Sequence, residues 1–180
     1  LAKLRKGHVT SIDKANVLAS MRLWRRVATD EGAKHEGIAL DHQLVDSAAM
    51  RLVTDPGSFD VVVAPNLFGD ILSDEGAAIT GTLGLLPSAS VGDSGPGLYE
   101  PIHGSAPDIA GQAKANPAAT ILSVAMMMRY AFDLQREGDV IEAAVAETLW
   151  EGVLTPDLGG DASTSQMGDA ICERLAKAAG

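Results

Sequence analysis

Six consecutive residues, Phe59-Asp60-Val61-Val62-Val63-Ala64, set the strongest limit on how this chain can fold. A continuous apolar, β-branched run of this kind suits a strand covered on both faces, the environment of a parallel sheet flanked by helices. Asp55-Pro56-Gly57 supplies a turn ahead of it, and Pro65-Asn66 leads out of it into a helix expected over 69–80. One strand so enclosed requires neighbours of the same type.

The segment before this run provides them. Residues 8–13 carry β-branched side chains and pass into 14–29, where Val17, Leu18, Met21, Trp24 and Ala28 repeat at helical spacing. A short strand is expected at 38–40 and a short helix at 45–53, with Val45, Ala49 and Val53 on one face. After Thr80 the texture changes: Gly81, Gly84, Pro87, Gly92, Gly95, Pro96 and Gly97 predict a long irregular stretch, and a domain boundary is placed there. Asn116-Pro117 then predicts a helix start, with Pro at the first position, ahead of a helix over 118–132. Another helix is expected from Gly138-Asp139 to about Trp150, a loop at 155–160, and a final amphipathic helix over 165–177. Strands alternating with helices early, then mostly helices, define an α/β chain.

Charge narrows the partners. With 24 acids against 14 bases and a formal net charge of -10, the chain is a poor match to a phosphate backbone, so nucleic acid is not expected as a partner. The acidic surface fits a cytoplasmic enzyme, and the single cysteine, Cys172, permits neither an internal disulfide nor a cysteine-rich zinc site. The longest apolar stretch, 118–128, falls short of the about 20 residues of a membrane span, so no membrane is expected. Leu1 is not an initiator methionine and 1–6 have no signal-peptide pattern, so the chain is read as starting mid-protein.

Three acids and one lysine carry the candidate chemistry. Asp70 and Asp74, four residues apart, emerge about 40° apart around a helix axis and share a face. Their repulsion would be reversed by a hard divalent cation with oxygen ligands, whereas the plainer reading is a solvated acidic face with Glu75. Asp46 is either a third ligand or a helix cap acting through Ala48 and Ala49. Lys14, followed by Asn16, sits where a strand meets a helix, a position from which a lysine can exchange protons with bound substrate or simply face water. The loop from Glu100 through His103, Gly104, Ser105, Ala106, Pro107, Asp108 and Ile109 to Asn116 lets backbone approach a flat or phosphate-bearing ligand. In that loop Asp108 is placed to accept from a ribose 2′-hydroxyl and to repel a 2′-phosphate, or else makes only an Asx turn. No G-x-G-x-x-G occurs, so an ordinary dinucleotide fingerprint is excluded.

Four of these stretches, 13–18 (Asp-Lys-Ala-Asn-Val-Leu), 42–46 (His-Gln-Leu-Val-Asp), 66–74 (Asn-Leu-Phe-Gly-Asp-Ile-Leu-Ser-Asp) and 103–111 (His-Gly-Ser-Ala-Pro-Asp-Ile-Ala-Gly), resemble the β-decarboxylating dehydrogenases of the isocitrate/isopropylmalate dehydrogenase family, in order and along nearly the whole chain. The lysine segment and 83–90 resemble the isopropylmalate-using members, whereas isocitrate-using relatives tend to carry Lys-Gly-Asn at the first of these places. NADP-using relatives often have Lys at the position of Asp108, so the resemblance implies NAD.

It further implies an isopropylmalate dehydrogenase-like two-domain α/β fold, present as its carboxy-terminal half. Residues 1–80 would belong to the dimer-forming, metal- and substrate-binding domain, and 81–180 to the carboxy-terminal part of the nucleotide-binding domain. By the resemblance, Asp46, Asp70 and Asp74 hold Mg²⁺ or Mn²⁺, Lys14 handles protons, Asn16 meets the nicotinamide side, and Val17 and Asp46 face the substrate. Glu100, 103–109 and Asn116 would hold the adenosine half of NAD. The metal site would be shared between the subunits of a homodimer. The implied reaction is oxidation and decarboxylation of (2R,3S)-3-isopropylmalate to 2-oxoisocaproate in leucine biosynthesis. The alternatives are a member acting on tartrate, malate or homoisocitrate, and an inactive metal-binding or dimerising fragment. The family's substrate-gripping arginines and its tyrosine are expected before Leu1, and Arg5 does not replace them by pattern.

Overall fold

A computed structural model describes residues 1–178 and divides the chain into two compact units, Leu1–Ile79 and the remainder from Thr80. In the first unit three strands, β1 (His8–Asp13), β2 (Ala39–Leu44) and β3 (Val61–Val63), form a parallel sheet in the order β2-β1-β3. Helix α1 (Ala19–Gly32) connects β1 to β2, α2 (Val45–Thr54) lies between β2 and β3, and α3 (Asn66–Thr80) follows β3. The middle strand is the most enclosed, with Thr10, Ser11, Ile12 and Asp13 all buried, as its position demands. Ile12 packs with Ala48 of α2 and Leu72 of α3, and Phe59, Leu52 and Ala64 close the cluster.

Parallel pairing sends the carboxyl ends of all three strands to one edge of the sheet. There β1 delivers Lys14, β2 delivers Asp46 and β3 delivers Asn66 and α3. Ligands of open parallel sheets characteristically bind off this edge.

Four expectations for this unit are corrected. The helix expected over 69–80 starts three residues earlier, at Asn66. The helix expected from residue 14 begins at Ala19, because Lys14–Leu18 is a turn whose Lys14 carbonyl accepts from the Val17 and Leu18 amides at 3.0 and 2.9 Å. The turn is anchored from below, where buried Asp13 accepts from the Ala15 amide at 2.9 Å. The enclosed valine run is an edge strand of only three residues, and Val62 and Val63 are 42% and 38% exposed. The strand expected at 38–40 extends to Leu44, since parallel pairing with β1 continues register by register from Ala39 to that residue.

In the second unit the stretch expected to be irregular contains an antiparallel hairpin, β4 (Pro87–Ser90) with β5 (Leu98–Pro101). Pro87 and Pro101 face each other at the open end of the ladder, where a missing N–H is tolerated. Gly95, at φ +92°, occupies the connection in a conformation costly for other residues. Helices α4 (Ala118–Ala131), α5 (Gln135–Trp150) and α6 (Thr164–Ala178) pack around Ala118, Ala144, Val145, Met167 and Ile171, and α4 also lies on the hairpin. The expected starts of α4 and α6 hold within one residue, while α5 begins three residues ahead of Gly138. Gly138 instead permits close approach, since a Cβ there would lie 2.7 Å from Arg129 Cγ and 3.0 Å from the Ala125 carbonyl. Among the described residues no helix is long and apolar enough to cross a membrane.

Candidate functional site

At the strand-end edge of the first unit, Lys14 Nζ donates to Asp46 Oδ1. Two layers of contacts hold the lysine's backbone. Fully buried Asp13 receives a two-pronged guanidinium from Arg25 at 2.7 and 2.9 Å, and its Oδ1 also takes the Ala15 amide, so the peptide beside Lys14 is fixed. Burial pushes the Asp13 carboxyl upward, but the Arg25 hydrogen bonds, the Ala15 amide and the charges of Arg25 and His42 outweigh it and leave it below its ordinary value. Trp24 Nε1 donates to Ser11 Oγ at 3.1 Å on the same helix–strand contact. Asp46 lies in the first turn of α2, where negative charge is favoured. The Lys14 hydrogen bond, then its own backbone N–H, holds its carboxyl below the usual range against a smaller desolvation effect. No side-chain cap bond forms at this helix start, so the capping alternative for Asp46 is not realised.

Asn16 and Val17 lie on the exposed turn, Val17 being 65% exposed. Asp70 and Asp74 project from one exposed face of α3, one turn apart as expected, and Asn66 Nδ2 donates to Asp70 Oδ2 at 3.0 Å. Asp46 does not join them, because no three His, Cys, Asp or Glu groups among the described residues lie where one metal ion would be held. The structure thus brings Lys14 to Asp46 and Asp70 to Asp74, as two separate pairs. The donor set is nevertheless all carboxylate oxygen, the chemistry that Mg²⁺ and Mn²⁺ prefer, and neither Asp70 nor Asp74 has a cationic side-chain partner among the described residues. Arg5 is engaged elsewhere, donating to the Asp60 carboxylate at 2.8 Å beside the start of β3.

The second unit holds a cleft of about 760 Å³. Of the loop residues singled out from the sequence, His103, Gly104, Ser105, Ala106, Ile109 and Asn116 line it, whereas Glu100, Pro107 and Asp108 do not. Glu100 is an exposed residue of β5, and Pro107 and Asp108 belong to a short 3₁₀ turn on the exposed side of the loop. Asp108's carbonyl, not its carboxylate, accepts from Gln112 Nε2 at 2.7 Å, so the Asx-turn alternative is not what this residue does. His103 Nδ1 donates to the Gly104 carbonyl at 2.9 Å, which fixes the ring at the cleft wall. Ala106 adopts left-handed backbone at φ 42°, uncommon for a residue with a Cβ, so the loop holds a specific curved path.

The polar residues of this cleft that sequence reasoning missed include Thr82, Lys114, Asp157, Thr164 and Ser165. Asp157 lay in what reads as an ordinary Thr-Pro-Asp turn, and only the fold brings it to Thr82, 75 positions away. Its carboxylate accepts from Thr155 Oγ1 at 2.5 Å, Thr82 Oγ1 at 2.6 Å and Asn116 Nδ2 at 3.1 Å. Desolvation pushes this carboxyl up, and those three donors with its own backbone N–H bring it below its ordinary value.

Comparison with known proteins covers the segments that carry both sites. The isocitrate/isopropylmalate dehydrogenase profile matches residues 1–171. The chain is 58% identical over 98% of its length to the 3-isopropylmalate dehydrogenase of Anaeromyxobacter dehalogenans, covering 50% of that protein. It is also 58% identical over 97% of its length to that of Streptococcus thermophilus, covering 51%. Among solved structures, a β-decarboxylating dehydrogenase from Thermococcus kodakarensis in its apo form superposes with a TM-score of 0.89 at 41% identity, over 98% of this chain and 52% of that one. Isocitrate dehydrogenase from Methylococcus capsulatus does so with a TM-score of 0.87 at 41% identity, over 93% and 50%. The chain spans about half the length of the curated relatives it matches. A parallel sheet with its lysine and acids at the strand ends, a small-residue cleft, and a match running through both therefore establish that this chain belongs to the isocitrate/isopropylmalate dehydrogenase family.

Proposed function

We propose that the chain supplies the lysine, the metal carboxylates and the adenosine cleft of an NAD-dependent enzyme that oxidises and decarboxylates (2R,3S)-3-isopropylmalate to 2-oxoisocaproate, a step of leucine biosynthesis. The observation that carries this reading is the 58% identity, over 98% of the chain, to a protein named for that substrate. Residues 1–80 would then belong to the dimer-forming domain, and residues from 81 to the nucleotide-binding one.

Bound Mg²⁺ or Mn²⁺ on Asp46, Asp70 and Asp74 would supply Lewis acidity at the substrate's 2-hydroxyl, and bound NAD a hydride acceptor. Lys14 is the group that takes the hydroxyl proton, and its placement is set by the Asp13-anchored turn and by Asp46. Val17, exposed on that turn, offers an aliphatic contact to the isopropyl group, and Asn16 faces the nicotinamide side. His103, Gly104, Ser105, Ala106, Ile109 and Asn116, which line the cleft, hold the adenosine half, and Glu100, Pro107 and Asp108 act on it from outside that lining. A homodimer is supported by the two separate pairs, since a second copy would bring Asp46 of one chain to Asp70 and Asp74 of the other.

The test is a chimera in which residues 1–171 replace the matching half of the Anaeromyxobacter dehalogenans protein. With Mn²⁺ and NAD it is expected to form NADH from 3-isopropylmalate in preference to isocitrate, homoisocitrate, tartrate or malate. Asp70→Asn in the chimera should abolish that turnover. A folded chimera that prefers isocitrate, or an Asp70→Asn protein of unchanged activity, would refute the assignment.

A further inference from the structure

The carboxylate of Asp157 sits in the wall of the cleft, yet its hydrogen bonds run to the protein. We propose that Asp157 is a positioning residue, which clamps the side-chain amide of Asn116 and the hydroxyl of Thr82 so that the cleft wall keeps one shape for the adenosine half of a dinucleotide. The proposal rests on the NAD reading of this cleft.

The amide of Asn116 is held from both ends. Its Oδ1 accepts from the Ala118 amide at 2.9 Å, at the start of α4, and its Nδ2 donates to Asp157 Oδ2 at 3.1 Å. A flipped amide would set an oxygen against the carboxylate and an N–H against an N–H, so only one orientation satisfies both contacts. Asn116 is 7% exposed, which leaves little room for a third arrangement. Thr82 joins the same oxygen through its hydroxyl at 2.6 Å, while Thr82 Oγ1 also accepts from the Gly84 amide at 3.0 Å. Gly84 is required for this closeness, because a Cβ there would come within 2.8 Å of Asn116 Cβ and 3.0 Å of Asp157 Oδ2. Thr155 occupies the other carboxylate oxygen at 2.5 Å. One ionised side chain therefore joins the segment before β4, the start of α4 and the loop before α6. A neutral asparagine at this position could not accept all these donors with equal strength, since charge-assisted bonds are about twice as strong as neutral ones.

If Asp157 acts through Asn116, its loss and the loss of Asn116 are not independent. The experiment is a double-mutant cycle on the whole chain, Asp157→Asn, Asn116→Ala and both, with NAD affinity measured by calorimetry and the fold followed by thermal melts. Each single change is expected to weaken NAD binding about tenfold, and the double variant to bind no more weakly than Asn116→Ala alone. Losses that multiply in the double variant would overturn the positioning role while leaving the cleft a dinucleotide site. Absence of NAD binding by the unsubstituted chain would overturn both. A ligand-free measurement stands beside the cycle: the Asn116 side-chain amide resonance of the whole chain should shift strongly in Asp157→Asn, and an unmoved resonance overturns the clamp. If Asp157→Asn melts below the working temperature, Thr82→Val, which deletes one donor to the same oxygen, replaces it in the cycle. A smaller loss of about threefold that vanishes in the Asn116→Ala background is then expected, and a loss that persists there counts against the proposal.

Discussion

Asp13 and Lys14 are adjacent in sequence and opposite in circumstance. Asp13 is fully buried and saturated with donors, while Lys14 reaches the strand-end edge. Arg25→Met leaves the buried carboxylate without its partner and should lower stability by about 3 kcal/mol, read as a shift of the urea midpoint at neutral pH. Because the folded Asp13 carboxyl is held below its ordinary value, its contribution is fully present above the unfolded pKa of about 3.9 and fades as pH falls through the folded one. The Arg25→Met deficit should accordingly shrink below about pH 4, and a pH-independent deficit would show that the ion pair is not its source. Lys14→Met, tested in the chimera, should reduce kcat by at least a hundredfold with little change in NAD affinity. A selective loss of NAD affinity would remove Lys14 from proton transfer.

Elements differ in how openly the sequence announced them. The periodicity of α4 and α6 was legible because local chemistry alone decides it. The place of the α4 start was legible too, although Pro117 stands at the cap and not at the first helical position, with Asn116 Oδ1 still accepting from the Ala118 amide. The β4–β5 hairpin was not, since its glycines and prolines read as breakers until pairing assigns them the turn and the ladder ends. The same applies to the valine run, whose composition signals enclosure while its place at the sheet edge leaves it exposed. Asp70 and Asp74 were readable from spacing, but the Lys14–Asp46 contact needed parallel pairing of β1 and β2 to bring their ends level. Asp157 was invisible for a like reason, two of its three side-chain partners, Thr82 and Asn116, being remote in the chain. One glycine in its loop is fixed by space: a Cβ at Gly160 would stand 2.0 Å from the Leu154 carbonyl oxygen. Gly160→Ala should cost about 2 kcal/mol in urea unfolding, and an unchanged midpoint would mean that the loop yields without loss.

Among the described residues each unit has a buried cluster of its own, around Ile12 in the first and around Met167 and Ile171 in the second. Ile12→Ala and Met167→Ala should each cost about 3 kcal/mol, and the double variant the sum within about 0.5 kcal/mol. A marked departure from the sum, measured by urea unfolding with two spectroscopic probes, would reveal energetic coupling between the cores. The division also orders the candidate residues, with the lysine and acids on one unit and the small-residue cleft on the other. Neither unit holds both halves of the proposed chemistry.

The outer edge of β3 is expected to limit how concentrated a solution of the chain can become. Among the described residues its backbone pairs on one side only, and Val62 and Val63 are exposed, so it offers an open template to any extended segment that meets it. Turbidity should rise with protein concentration and fall on Val62→Lys, which places a charge on that strand without touching the lysine, the acids or the cleft. If light scattering is the same for both proteins, the sticky seam lies elsewhere, and the bare strand is colloidally harmless.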